Sequence, residues 1–420
     1  MHVIIAAVGT SGDTLPLIEL GQHLMRSGHE VEFIGLAYFA NRAQQAGLPF
    51  HSVGPINLFE EMARDPTVWD WHVGFRSLWK VLGAAMADTF NTINQLRRTD
   101  SILVGSSGAV GVRLAQEKFG LRAMTVHMSP FYFFSREQNC LGGLGAWPRW
   151  LPRVIRRAVL NVIDRFYIDG ACVNDVNALR RLIGLPQQRH IFTRWINSPD
   201  RVVCAVPTWF AKSQPDWPVN AVSTGFPVAL APESWAPSVS LAAFLADGDP
   251  PIVVSACTGA GAASTFFQRA IAAARIANQR VILVTRFQDQ ISTPLPAFAF
   301  LIDYAPFDKL FPHACAIIHN GGIGTMALAM RARLPQIIVP FAYDQFFNGM
   351  RLAVLGGGAV VRRSRAPEDL ANVMRNLLES KNVAHACADL QMQTVATSDG
   401  LRDMTRTLES LVLAPRTNRS

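Results

Sequence analysis

The chain has 420 residues, of which 50% are hydrophobic and 17% charged. That length exceeds what one core fills and predicts two domains of roughly 200 residues each, while the composition excludes a disordered or fibrous chain. The net charge of +8 suits anionic partners, whether nucleotides, acidic lipids or nucleic acid, and six scattered cysteines without a CxxC pair argue against a zinc site or a disulfide framework.

The amino terminus, MHVIIAAVGTSGD, lacks the basic start and small-residue cleavage site of a secretory signal. No segment reaches the ~18 apolar residues of a spanning helix, so a cytoplasmic protein is expected, soluble or peripheral on the inner face of a membrane. Residues 3–8, VIIAAV, read as a strand apolar on both faces, TLPLIELGQHLMRSGH as a helix and EVEFIGL as the next strand. This β-α-β alternation recurs through PFHSV, a long helical stretch near 74–98, SILVGS, VGVRLAQEKFG and AMTV. It predicts a doubly wound α/β domain over 1–228.

Proline-rich residues 229–250 read as a linker. Alternation resumes in PIVVSA, FFQRAIAAARIA, RVILVT, FAFLID, ACAIIH, GTMALAMRA, QIIVP, a helix after Asp344 and GAVVR. A second doubly wound domain is therefore expected over 251–420, with the last helix able to pack back on the first. Two such Rossmann-like domains can face each other across a cleft, since open α/β sheets bind ligands at their carboxyl edges.

The loops after strands carry the chemistry. In GTSGDTLP, Ser11 stands where a dinucleotide fingerprint needs its second glycine, so a nicotinamide oxidoreductase is disfavoured. Asp13 reads either as a helix N-cap, with Pro16 in the first turn, or as a general base at a strand end. The helix dipole would lower its pKa and burial would raise it. In HNGGIGTM, the residues His319, Asn320, Gly321, Gly322, Gly324 and Thr325 lead from a strand into a helix. That arrangement is either an ordinary glycine-rich turn or a diphosphate site built from backbone amides.

PQIIVPFAYDQFFN ends a further strand with Asp344, Gln345 and Asn348, groups suited to sugar hydroxyls, and VVSACTG offers Thr258 to a phosphate. DGD at 247–249 precedes a strand beside two prolines and reads as a solvated turn rather than a metal site.

GTSGDTLPLIELGQHLMRSGHEV at the front, combined with YAPFDKLFPHACAIIHNGGIGTMALAMRARLPQIIVPFAYDQFFN at the back, resembles the GT-B nucleotide-sugar glycosyltransferases of the UDP-glycosyltransferase-like family. DPTVWD, HIFTRWINSPD, AVPTWFAKSQPDWP and TGFP are most similar to the rhamnosyltransferases of rhamnolipid synthesis. The resemblance implies inverting transfer without metal or other cofactor. The co-substrate would be dTDP-L-rhamnose and the acceptor a lipid hydroxyl such as a 3-(3-hydroxyalkanoyloxy)alkanoate, with a partner supplying that lipid and no nucleic acid involved.

By the same resemblance Asp13 is the base, His319 to Thr325 hold the diphosphate, Asp344 and Gln345 hold the sugar, and Ala305 to Phe307 frame the nucleobase. Three positions depart from the family pattern. Its phosphate-contacting histidine aligns with Asn320 rather than His319, its ribose carboxylate aligns with Leu328, and Cys257 replaces a glycine beside Thr258. Transfer of another sugar to a sterol, carotenoid or polyketide is the same-class alternative, and a non-catalytic acyl-binding or partner subunit is the alternative of another class.

Trp69, Trp71, Phe131, Phe133, Phe134 and Trp147 are candidates to line an apolar acceptor pocket, or else they fill ordinary core. Over 151–168, LPRVIRRAVLNVIDRFYI places Val154, Ile155, Ala158, Val159, Val162, Ile163 and Phe166 on one face and arginines around the other. This is an interfacial helix on an anionic membrane, or a surface helix with its apolar side in the core.

Overall fold

The computed structural model describes residues 1–70, 72–137, 150–228, 230–231, 233–256, 263–397 and 399–413. Seven strands form the first sheet: β1 (His2–Ala7), β2 (Glu30–Gly35), β3 (Phe50–Ser52), β4 (Ile102–Ser106), β5 (Arg122–His127), β6 (Arg201–Cys204) and β7 (Ala221–Ser223). Their order is β3-β2-β1-β4-β5-β6-β7, parallel throughout. Six more form the second: β8 (Ile252–Ser255), β9 (Val281–Val284), β10 (Ala299–Ile302), β11 (Ala316–His319), β12 (Gln336–Ile338) and β13 (Gly358–Val360). These run β10-β9-β8-β11-β12-β13, again all parallel. Every residue of β1, β4, β8, β9 and β11 is buried, which is why these strands read as unbroken apolar runs rather than alternating ones.

Each sheet reverses its strand order once, between β1 and β4 in the first and between β8 and β11 in the second. Such switch points open a crevice at the carboxyl edge. The loop of Val8 to Thr10, which leads into the helix bearing Asp13, leaves β1, and the loop of Asn320 to Gly322 leaves β11.

The chain divides into two compact units, Met1–Met62 with His72–Pro227 and Ser398–Ser420, and Ala63–Trp71 with Val228–Thr397. The short segment Ala63–Trp71 falls inside the stretch assigned from sequence to the first domain, yet it belongs to the second unit. There the Tyr343 hydroxyl donates to the Val68 carbonyl at 2.6 Å, the Trp69 and Tyr343 rings meet edge to face, and Arg64 pairs with Asp289 at 3.0 Å. The expected linker likewise contains a helix, Val239–Ala246, capped by the Ser238 side chain. Its Leu241 enters the second core beside Val253, Ile282 and Phe311. The helix Gly400–Leu413 belongs to the first unit, held by His23 to Thr405 at 3.1 Å and His29 to Glu409 at 3.0 Å.

A buried polar network braces the first sheet. Glu117, in the helix Val110–Phe119, accepts from Arg113 at 3.0 Å, from the fully buried Arg180 at 2.7 Å and from the Trp195 indole at 2.6 Å. Both guanidinium groups also lie over the Trp195 ring. Removing the carboxylate leaves two buried cations without their acid, so Glu117→Ala should lower unfolding stability by about 3 kcal/mol. Glu117→Gln, which keeps an acceptor, should cost less, as read by urea unfolding followed through tryptophan fluorescence.

Candidate active site

The residue after β1 that matters first is Asp13. The helix Ser11–Arg26 takes Thr10 as its N-cap, so Asp13 is the third helical residue, not the cap, and Pro16 sits in the second turn. The expectation of an Asp13 cap with Pro16 in the first turn fails because the helix starts three residues earlier. One carboxylate oxygen, Oδ2, accepts from the Thr10 amide at 3.0 Å and the Thr10 hydroxyl at 2.9 Å. Oδ1 has no partner among the described residues. Desolvation by burial raises the Asp13 pKa above the ordinary carboxylate range, against the opposing pull of the two Thr10 hydrogen bonds. Gly9, at φ +147°, has no room for a side chain, since a Cβ there would lie 2.7 Å from Asp13 Oδ2.

The neighbouring strand ends are tied together. Ser106 at the end of β4 bonds both the amide and the carbonyl of Val8. Ser107 then bonds His127 Nδ1 at 2.7 Å, and His127 Nε2 bonds Asn197 Oδ1 at 2.7 Å. The Asn197 oxygen can only accept, so Nε2 carries the ring proton and Ser107 donates to Nδ1. Burial lowers the His127 pKa to about 4, which keeps the ring neutral. The sequence carried no signal for this chain, because its members come from three distant segments.

In the second unit the strand β11 ends on His319, whose ring turns into the core. Its Nε2 bonds Gln336 Oε1 at 3.0 Å and its Nδ1 accepts from the Gly321 amide at 3.2 Å. Burial lowers its pKa to about 4. Both nitrogens are occupied, so His319 leaves the set of candidate diphosphate contacts. Asn320 is buried too, but its carboxamide has no partner among the described residues. Gly321 adopts φ +96°, and a Cβ there would meet the Gln345 carbonyl at 2.9 Å. Gly322 caps the helix Ile323–Arg331, with Gly324 exposed and open space over its Cα. The first-turn amides of that helix, including those of Ile323, Gly324 and Thr325, have no intrahelical acceptor.

Asp344 caps the helix Gln345–Val354. Its Oδ2 accepts from Asn348 at 2.8 Å, and Asn348 also donates to the Gly321 carbonyl at 3.0 Å. Asn348 is fully buried and is a strut between the glycine turn and Asp344, not the sugar contact expected from sequence. Gln345 Oε1 is consumed by the amides of Phe341 and Ala342, at 2.7 and 3.1 Å, which leaves its Nε2 as a donor. Tyr343, the residue before this pair, is held at φ +55° by its anchorage to Val68.

Two family models match the two ends of the chain: the glycosyltransferase family 28 N-terminal domain over residues 3–121, and the erythromycin biosynthesis protein CIII-like C-terminal domain over residues 271–403. The vancomycin aglycone glucosyltransferase of Amycolatopsis orientalis is 29% identical over 372 residues, covering 85% of each chain. The chain is a nucleotide-sugar glycosyltransferase of the GT-B type. The sterol 3-beta-glucosyltransferase of Candida albicans is 25% identical over 87% of the chain, which spans 25% of that longer protein. Among solved structures, the kitacinnamycin glycotransferase superposes with a TM-score of 0.72 at 16% identity, covering 98% of both chains. Spinosyn rhamnosyltransferase SpnG complexed with thymidine diphosphate gives 0.66 at 17%, over 97% of this chain and 100% of its own. At these identities the structural likeness speaks for the fold.

The remaining residues expected at the site of this glycosyltransferase divide three ways. Thr258, Trp71 and Trp147 lie outside the described residues. Ala305 is buried in the second core, where Phe307 stacks on Phe311 at 4.7 Å, and of that segment Tyr304 is the side chain left exposed. Leu328, at the family's ribose position, packs against the same core. Trp69 is buried in the second unit rather than lining the first. Phe133 is also core, its ring 4.4 Å from that of Trp217, whereas Phe131 and Phe134 stay half-buried. Tyr132, which the sequence reading passed over, stacks on His127.

Two measurements follow from this geometry. Asn348→Ala removes the buried donor group shared by the Gly321 carbonyl and Asp344, and should lower unfolding stability by about 1–3 kcal/mol, read by urea denaturation. His127 and His319 resist protonation down to about 4 in the fold, whereas unfolded histidine takes up its proton near ~6.5. The unfolded state binds more protons in that window, so stability should fall as pH drops from about 6.5 towards about 4. Urea midpoints of His127→Gln should depend less on pH there than those of the wild type.

Proposed function

We propose that the enzyme transfers its sugar with inversion in a single displacement at the anomeric carbon. Asp13 takes the acceptor hydroxyl proton through Oδ1, while the amides of Gly322 to Thr325, with the Asn320 carboxamide, stabilise charge on the departing diphosphate. Asp344 and Gln345 hold sugar hydroxyls, one accepting and one donating. The observation that carries this reading is the Asp13 carboxylate: one oxygen fixed by Thr10, the other without a partner among the described residues, and a pKa raised by burial. A raised pKa makes the carboxylate a stronger base than a solvated one while leaving it ionised at higher pH.

For the substrates, the reading is dTDP-L-rhamnose as donor and a hydroxyacyl lipid as acceptor. It is supported by the similarity of HIFTRWINSPD and its companion stretches to rhamnolipid-forming rhamnosyltransferases, by a fold shared with a rhamnosyltransferase complexed with thymidine diphosphate, and by the half-buried rings of Phe131, Tyr132 and Phe134. A second reading, a polycyclic or peptide aglycone or a sterol, is favoured by relatives named for vancomycin aglycone and sterol glucosylation. Apolar pockets discriminate weakly between such acceptors.

Asp13→Asn should keep thymidine diphosphate affinity and lose about 10²–10⁴ in kcat; a fully active variant would remove Asp13 from the base role. The base must be ionised, so the wild-type rate should fall on the acid side through a pKa above the usual carboxylate range. Thr10→Val deletes the hydroxyl bond that lowers that pKa and should move the acid limb to higher pH. Crossed panels of sugar nucleotides with hydroxyacyl lipids, aglycones and sterols, run with chelator and read by mass spectrometry, decide the substrates. Absence of product from dTDP-L-rhamnose with every hydroxyacyl lipid overturns the preferred pair.

A further inference from the structure

The helix Arg153–Val162 and its wider continuation Ile163–Ile168 are amphipathic in the reverse sense for a soluble protein. Two of their polar side chains, Arg156 and Asp164, point in. Arg156 is buried and donates to the Leu151 carbonyl at 3.0 Å. Asp164 is buried against His190, whose amide bonds Asp169 at 2.7 Å. The apolar side chains point out: Trp150 is 79% exposed, Val154 77%, Phe166 68% and Val162 56%, with Ile155 and Ala158 exposed between them. The buried polar anchors fix the rotation of the helix, so this exposure is built into the fold rather than being a frayed edge. The alternative in which the apolar face fills the core is thereby overturned.

The exposed charged side chains of the helix itself have one sign. Arg153, Arg157 and Arg165 are exposed, with Arg153 reaching Glu137 at 3.1 Å and Arg165 lying over the Phe166 ring. Asp164, the one acid between residues 150 and 168, is turned inward. Contiguous exposed apolar surface rimmed by arginines is the pattern of a helix that lies in the plane of an anionic interface. A protein partner could cover the apolar row, but the three exposed arginines, of which Arg153 pairs with Glu137, favour a dense negative surface.

We propose that residues 150–168 dock the enzyme on an anionic phospholipid bilayer. Trp150, Val154, Ile155, Val162 and Phe166 enter the headgroup boundary, and Arg153, Arg157 and Arg165 meet the phosphates. No helix among the described residues is long and apolar enough to cross a membrane, so this contact lies on the bilayer rather than through it. The site is separate from Asp13 and from the glycine turn, and it stands or falls independently of the acceptor chosen above.

The test is co-sedimentation of the full chain with vesicles of phosphatidylglycerol and phosphatidylcholine in equal parts, and with phosphatidylcholine alone. The wild type should sediment with the first and stay in solution with the second, and added salt should release it. The paired variant Val154→Asp, Phe166→Asp should lose binding. Replacing Arg153, Arg157 and Arg165 by Gln should weaken it by roughly fivefold for each charge removed. Both variants alter exposed side chains and should bind thymidine diphosphate as the wild type does, which verifies their fold. Wild-type protein that ignores anionic vesicles or binds neutral ones equally, or an aspartate variant that sediments unchanged, overturns the proposal. So does a dimer, seen by equilibrium sedimentation, that the aspartate variant disrupts in the absence of any vesicle binding.

Discussion

A parallel strand hands its chain onward only at its carboxyl edge, and where strand order reverses, the helices leaving two adjacent strands go to opposite faces and leave a crevice between them. Both sheets are governed by this constraint, at β1 and β4 in one and at β8 and β11 in the other. The backbone must turn sharply at these points while staying close to a helix start. Gly9 answers that need in the first unit and Gly321 in the second, each at a positive φ with no space for a Cβ. The glycines are there because of the carboxylate and the helix they approach, at the edge where open parallel sheets bind ligands.

The same edges hold groups that have no partner among the described residues: one oxygen of Asp13, the carboxamide of Asn320, and the first-turn amides after Gly322. Leaving such groups without partners costs on the order of 1–3 kcal/mol each where they are shielded from water, so their surroundings have to be rigid for other reasons. His319 and Gln336 close the core beneath the glycine turn. Asn348 ties that turn to Asp344, and Ser106 ties β4 to the loop after β1. None of these side chains needs to touch a substrate, yet each fixes the direction in which an unsatisfied group points.

The sequence exposes the parts of this design that depend on local pattern. Fully apolar strands, the glycine turn at 321–324 and the acidic residue in GTSGD are visible because burial on both faces, tight turns and helix starts each constrain neighbouring residues. What depends on long-range partnership is invisible to pattern. His319 and Asn320 are adjacent, and only the position of Gln336 decides which one faces the core. Gln345 reads as an acceptor until the amides of Phe341 and Ala342 take its oxygen. The short strands β6 and β7, of four and three residues, are too brief to show a pattern, and Trp69 reads as part of the first domain because nothing local reveals its contact with Tyr343. HIFTRWINSPD is distinctive in sequence for a structural reason, since its tryptophan and asparagine brace Glu117 and His127.

Polarity at the sugar position follows from these bonds. With its oxygen occupied, Gln345 offers only N–H donors, and Asp344, besides receiving Asn348, offers only acceptors while ionised. A hydroxyl can satisfy either partner, so the pair constrains where hydroxyls sit on the sugar ring and not merely how many there are. A site that hydrogen-bonds specific hydroxyls rejects analogues lacking them far more strongly than an apolar pocket rejects a misfit acceptor. On the proposed reading, donor choice would rest on the fixed polar atoms of Asp344 and Gln345 beyond β12, and acceptor choice on half-buried rings such as Phe131 and Phe134 that bind by shape. Such an asymmetry would accommodate relatives named for acceptors as different as vancomycin aglycone and a sterol, since an apolar pocket separates acceptors only weakly.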